Sequence, residues 1–294
     1  LFRAVSTVLA ALVNTQRFLS DGRAVPTGLI DNAVDAFAAL KLLAQFLSLH
    51  ACTCEDFIFM DAEFDPTKQC CDIVQVATGD LIFVFDTFLF PAVLNQHCLA
   101  DPSRPHDEEA AVPTLRHWLE NESTCIVLQS CDNDLVHLGH HGVSPSNLFD
   151  TCLADAVLSG LPQGRNLKAI VEHNLPFNHL VVKDSFKHFP PGLFKRRPMT
   201  EEAFDYTWQD VADGPALYRA MLAKSNAAQR AMIRELSLQR TDRTDAIHRA
   251  ILCVHDGTEC LLHKGSFIEV EMSGWLHSPE ATRKCKLDAF GRLR

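Results

Sequence analysis

Asp61 with Glu63 as D-x-E, a lone Asp134, and Tyr206 with Asp210 as Y-x-x-x-D are the residues best placed for chemistry in this chain. Their side chains offer hard oxygen donors, which suit Mg²⁺ rather than the softer ions that thiolates select. Three such clusters, lying between positions 61 and 210, are what a fold needs to seat two divalent cations in one cleft. Two cations about 3.5–4 Å apart stabilise both the attacking and the leaving oxygen of a phosphodiester. The expected chemistry is phosphodiester hydrolysis.

Each cluster implies an element that must position it. Asp61 and Glu63 follow the apolar run Phe57–Met60, which predicts a strand ending near them. Residues i and i+2 of a strand share a face and can reach one site. Two solvated acids at a strand end would look the same, and Asp65 and Asp86 are nearby acids able to compete. Asp134 falls in the first turn of a predicted helix, where an acid also suits the helix dipole and Asp132 suits the N-cap. Tyr206 and Asp210, four apart on another predicted helix, project from one face. There the aspartate can hold an ion while the tyrosine hydroxyl orients an attacking water.

The intervening pattern predicts both strands and helices. Residues 1–19 read as an amphipathic helix, Gly22–Gly28 as a turn around Pro26, and Asn32–Ser48 as a helix capped by Asp31. The runs 57–60, 73–77 and 81–85 read as successive strands, the last two forming a hairpin, with 125–128 as a fourth. Helices are predicted over 132–141, ending at Gly142, and over 165–175, from Glu201, and over 216–238 after a break at Gly214-Pro215. Leu252–His255, Thr258–His263 and Phe267–Met272, divided by Asp-Gly and Lys-Gly turns, predict a small antiparallel module.

Bulk properties set limits. At 294 residues, 47% hydrophobic and 22% charged, the chain has the composition of an ordinary globule with an appendage. A net charge of −10 argues against sequence-blind coating of nucleic acid, while leaving room for a local basic track beside a metal cleft. The 11 cysteines lack paired C-x-x-C spacing and several sit in apolar runs, which predicts reduced thiols in an intracellular protein. No stretch reaches the roughly 18 apolar residues of a membrane span. A chain opening on Leu1 reads as a fragment or a processed product.

Taken in order, D-x-E before a two-strand hairpin, Asp134 after a fourth strand, Phe149-Asp150-Thr151, Lys187…Phe194…Arg197-Pro198 and Tyr206…Asp210 form a series. This series resembles the 3′–5′ exonuclease domain of the DEDD superfamily, tyrosine subclass, most of all its ribonuclease D and Egalitarian-type branches. The likeness covers residues 30–225. It implies an α/β, RNase H-like fold: a mixed five-stranded sheet flanked by helices, with N-terminal helices and a small C-terminal β module. The implied divisions are 1–29, 30–240 and 241–294.

The resemblance further implies two-metal hydrolysis with Mg²⁺ or Mn²⁺, releasing nucleoside monophosphates from a single-stranded RNA 3′ end. Asp61, Glu63, Asp134 and Asp210 would be ligands, Tyr206 would orient the water, and Glu63 would also meet the terminal 3′-hydroxyl. The chain departs from the family at Gln129-Ser130, where relatives often carry His or Asn, and at Thr207-Trp208, where small residues are usual.

Phe64 is a candidate platform for a terminal base or a core residue. Lys183, Lys187, Lys195, Arg196 and Arg197 are a candidate phosphate track or a solvated basic loop. His137, His140 and His141 read as a solvated helix face, with His137 and His141 spaced to grip a transition metal. The C-terminal module would hold RNA or a protein partner. The rival function is a catalytically silent adaptor on the same fold, within a ribonucleoprotein complex.

Overall fold

The structure is a computed structural model describing residues 15–19, 21–50, 57–64, 71–79, 81–103, 111–161, 164–177, 192–256, 269–271 and 284–286. The chain starts with β1 (Thr15–Phe18), β2 (Ala24–Ile30) and α1 (Ala33–His50), then β3 (Phe57–Phe64), β4 (Cys71–Ala77) and β5 (Ile82–Phe85). Short elements follow: α2 (Ala92–Asn95), β6 (Cys98–Leu99), β7 (Val112–Pro113) and α3 (Leu115–Leu119). Next come β8 (Cys125–Leu128), α4 (Asp132–His140), β9 (Leu148–Asp150), α5 (Thr151–Ser159) and α6 (Leu167–Asn174). The chain continues with α7 (Glu201–Ala212), α8 (Gly214–Lys224), α9 (Ala227–Asp256), β10 (Glu269–Glu271) and β11 (Lys284–Lys286).

One mixed sheet of seven strands runs β1-β2-β5-β4-β3-β8-β9. The β3-β4-β5 neighbours are antiparallel, whereas β2–β5, β3–β8 and β8–β9 are parallel. The expected five strands are therefore present, and β1 and β2 extend them beyond β5.

Strand alternation sorts the core into two layers. Ile58, Met60 and Ala62 of β3, with Val74, Val76, Phe83 and Phe85, pack on Leu40 and Leu43 of α1 and Leu135 and Leu138 of α4. Phe59, with Ile73, Ala77, Ile82 and Val84, packs on Trp208 and Val211 of α7 and on Leu217 and Tyr218 of α8. Asp61 and Glu63 share the parity of Phe59, so they sit on the α7 side.

Close packing beside them makes one glycine obligatory. A Cβ on Gly214 would lie 2.2–2.4 Å from ring atoms of Phe59. Gly214→Ala is expected to cost about 2 kcal/mol by overpacking. A lowered urea midpoint, partly restored by Phe59→Leu in the same chain, is the measurement.

Several expectations need correction. Residues 15–18 form a strand, while 1–14 of the expected N-terminal helix lie outside the described residues. The turn ends before Ala24, where β2 begins: Gly22 takes φ 83 and donates to Leu19 O, and the Leu19 amide donates to Arg23 O. Pro26 then lies within β2, tolerated because the ladder to β5 begins only at Thr27. Asn32, not Asp31, caps α1, accepting from the Asp35 amide at 3.0 Å.

The expected break at Gly214-Pro215 is present one residue earlier, at Asp213 between α7 and α8, with Pro215 in the first turn of α8. A second break, at Ser225-Asn226, divides the helix expected over 216–238. Asn226 and Gln229 exchange reciprocal side-chain to backbone hydrogen bonds of 3.0 and 2.9 Å, a capping box opening α9. Leu252–His255 are helical, because Ala227–Asp256 contains neither Gly nor Pro and the established helix propagates through them. Of the expected C-terminal strands, 258–263 lie outside the described residues, while β10 pairs antiparallel with β11. Among the described residues, no helix is long and apolar enough to cross a membrane.

Candidate active site

The third motif rests on α7, whose start is fixed from two sides. Thr200 caps it through a 3.2 Å bond from the Ala203 amide, and Glu201 and Glu202 lie in its first turn. Arg17 of β1 pairs with Glu201 and with Asp205, the latter at 2.8 Å, and lies over the Phe204 ring. Phe204, Trp208 and Val211 are buried against the sheet. Trp208, part of the Thr207-Trp208 departure from the family pattern, is therefore a core residue, with its indole N–H on Asp205 Oδ1 at 3.0 Å. Asp210 is 5% exposed, and Tyr206 is half-buried with Phe194 beside it at 6.0 Å between ring centroids.

Strand parity and this helix bring distant acids together. Asp61, Glu63 and Asp210 each offer a carboxylate oxygen within 4.8 Å of the others. An all-oxygen donor set of this size fits a hard divalent cation.

Asp134 reaches the same strand by another route. The parallel ladder between β3 and β8 spans Phe57 to Phe59. Further along β3, the Ala62 N–H donates instead to Asp134 Oδ1 at 3.1 Å. Ala62 lies between Asp61 and Glu63, so the fourth acid sits at the D-x-E edge. Burial pushes the Asp134 carboxyl up to about 7; the Ala62 amide opposes this, and the charges of Asp150 and Asp210 add to it.

The sign of the resulting pH dependence follows. Unfolded, Asp134 releases its proton near about 4; folded and metal-free, it keeps it until about 7. Between these values the native state binds the extra proton, so unfolding free energy falls as pH rises, then levels off. A carbon-detected NMR titration of Asp134 with a midpoint near 7 is the expected result, shifting down when Mg²⁺ is added.

The turn before α4 is held by Asp150, which sequence reading placed only in the Phe149-Asp150-Thr151 series, and by Arg240, which it missed. Asp150 is fully buried and accepts from the amides of Ser130 at 3.1 Å, Cys131 at 3.2 Å and Cys152 at 2.7 Å. Arg240 of α9 donates to Asp150 Oδ2 at 2.6 Å and lies 3.2 Å from Asp132 Oδ2. Asp132 is thus a partner of Arg240 rather than the N-cap, a position that Cys131 fills. The capping role of Asp150 could have been read from an acid immediately before a helix. Nothing local marks Arg240.

Other candidates are engaged elsewhere. Phe64 stacks on His137, with centroids 3.5 Å apart and an interplanar angle of 24°. His137 is therefore buried, not part of a solvated face, while His141 Nδ1 lies 3.0 Å from Asn95 Oδ1. Arg197 pairs with buried Asp86, and Lys195 Nζ lies 3.8 Å from buried Asp72. These two cations hold the loop to the sheet, and Asp86 is engaged there rather than in the acidic cluster. Arg196 is exposed, whereas Lys183, Lys187 and Asp65 lie outside the described residues.

A family model described as 3′–5′ exonuclease matches residues 42–224, more than half of the chain and every residue of the acidic site. The chain belongs to the 3′–5′ exonuclease family. Solved exonuclease structures share its fold. The catalytic core of RRP6 from Trypanosoma brucei aligns with a TM-score of 0.55 at 19% identity, covering 80% of this chain and 56% of that one. RNase D from Escherichia coli aligns at 0.53 with 17% identity, covering 74% and 50%. RNase D from Trypanosoma brucei, in complex with RNA U12, aligns at 0.54 with 12% identity, covering 82% and 74%. The chain thus spans about half the length of the RRP6 core and the Escherichia coli enzyme. No curated protein sequence matched it.

Proposed function

We propose that this exonuclease domain is a metal-dependent enzyme of the tyrosine subclass that shortens single-stranded RNA from its 3′ end. The observation that carries this is the approach of Asp61, Glu63 and Asp210 within 4.8 Å, with Asp134 bonded to the intervening Ala62 amide. Two Mg²⁺ or Mn²⁺ ions held there would neutralise charge on the attacking and leaving oxygens. The four aspartate and glutamate side chains would hold them.

Tyr206, one helical turn before Asp210, would direct the attacking water, and Glu63 would meet the terminal 3′-hydroxyl. RNA is favoured because the neighbours of like fold include a protein described as an exoribonuclease and one in complex with RNA U12. The strand would be bound by exposed Arg196 and by Lys183 and Lys187, with the C-terminal strands available to a protein partner.

A second reading, a silent RNA- or protein-binding adaptor, draws support from the engagement of Lys195 and Arg197 with buried acids, in a chain of net charge −10. One experiment separates the two. Single-stranded RNA labelled at either end is incubated with Mg²⁺ or Mn²⁺ and the protein, beside an Asp61→Ala, Glu63→Ala variant. Stepwise shortening from the 3′ end, absent in the variant, supports the enzyme. Tight RNA binding by both proteins with no shortening favours the adaptor.

A further inference from the structure

Arg240 lies outside the family-matched segment, yet it contacts the turn that launches Asp134. We infer that Arg240 is a positioning residue for Asp134, an inference that rests on the nuclease reading of the acidic site. The connection is a short series of contacts. Asp150 is fully buried, so its carboxylate must be compensated. The Arg240 guanidinium supplies that compensation at 2.6 Å. So held, Asp150 fixes the Ser130 and Cys131 amides. Ser130 needs such support, because it is a non-glycine residue at φ 58.

Two residues beyond Ser130, Asp132 starts α4 and meets the same guanidinium at 3.2 Å. The next acid along is Asp134, whose other anchor is the Ala62 amide on β3. The first turn of α4 is therefore gripped from α9 behind and from β3 in front. Ser237, one turn before Arg240, reinforces the grip by accepting from the Asp150 amide at 3.0 Å. A planar guanidinium can serve two carboxylates at once, whereas a lysine ammonium is a point charge.

The test compares wild type, Arg240→Met and Arg240→Lys at a temperature where each is folded. Amide hydrogen exchange without metal is the first arm. Arg240→Met is expected to speed exchange about tenfold at residues 130–134 and at Ala62, leaving Val76 and Val84 of the central sheet protected. Arg240→Lys should recover part of the protection.

Hydrolysis as a function of Mn²⁺ is the second arm. Arg240→Met should raise the half-saturating Mn²⁺ concentration about tenfold, with KM for RNA unchanged within about twofold. Unchanged exchange at Ala62, or a uniform rise that includes Val76 and Val84, overturns the inference. Should Arg240→Met fail to fold, Arg240→Lys decides on the same criteria. A wild type that neither binds Mn²⁺ nor cuts RNA sinks the nuclease reading alone, because the exchange arm still reports whether Arg240 holds Asp134.

Discussion

Asp210→Asn is expected to lower 3′-end hydrolysis by about a thousandfold, roughly 4 kcal/mol of barrier, while making the metal-free protein more stable. The two effects have one cause. Asp210 is buried and shares a 4.8 Å cluster with Asp61 and Glu63. Carboxylates this close repel one another, so removing one charge relieves the fold by about 1 kcal/mol. The same substitution replaces an anionic carboxylate by a neutral amide oxygen, which weakens the hold on a divalent cation.

A thermal melt separates these contributions. Saturating Mn²⁺ at about 100 times its Kd should stabilise wild type by about 2.7 kcal/mol and the variant far less. Hydrolysis by Asp210→Asn within tenfold of wild type would remove Asp210 from the ligand set. A metal-free Tm below that of wild type would refute the repulsion account.

Arg197→Ala is expected to destabilise the domain by about 3 kcal/mol, because it leaves Asp86 buried without its partner. Asp86 is 1% exposed, and the Arg197 guanidinium also caps the Phe194 carbonyl and lies over Phe88. For a domain of this size the fall in Tm should be about 6–9 °C. A phosphate contact behaves differently: its loss lowers the salt slope of RNA binding by about one and leaves stability alone. Arg196→Ala, at an exposed position, should show that second behaviour. If Arg197→Ala kept its Tm and lost salt dependence instead, the loop would be a phosphate track after all.

Much of the site was legible because its geometry is local. D-x-E on a strand and Y-x-x-x-D on a helix each place two side chains on one face through backbone periodicity alone. The apolar runs around β3, β4, β5 and β8 announced the central sheet for the same reason. Errors gathered where local signals conflict. Pro26 reads as a turn, yet β2 accommodates it ahead of the β5 ladder. Leu252–His255 look strand-like, yet they complete a helix already under way. Phe64 and His137 gave no sign of stacking together, because β3 and α4 meet only in the folded chain.

By itself, then, the order of residues determined the kind of chemistry: hard oxygen donors, paired by strand and helix repeats, on an α/β frame. Tertiary structure decided which charges are spent on holding that frame and which gather in the acidic cluster. Arg197 finds Asp86 at a separation of 111 residues, and Arg240 finds Asp150 at 90. A basic residue looks the same in sequence whether it meets phosphate or a buried acid. Only burial distinguishes the two fates, since a carboxylate removed from water demands a counter-charge and takes the nearest one the fold supplies.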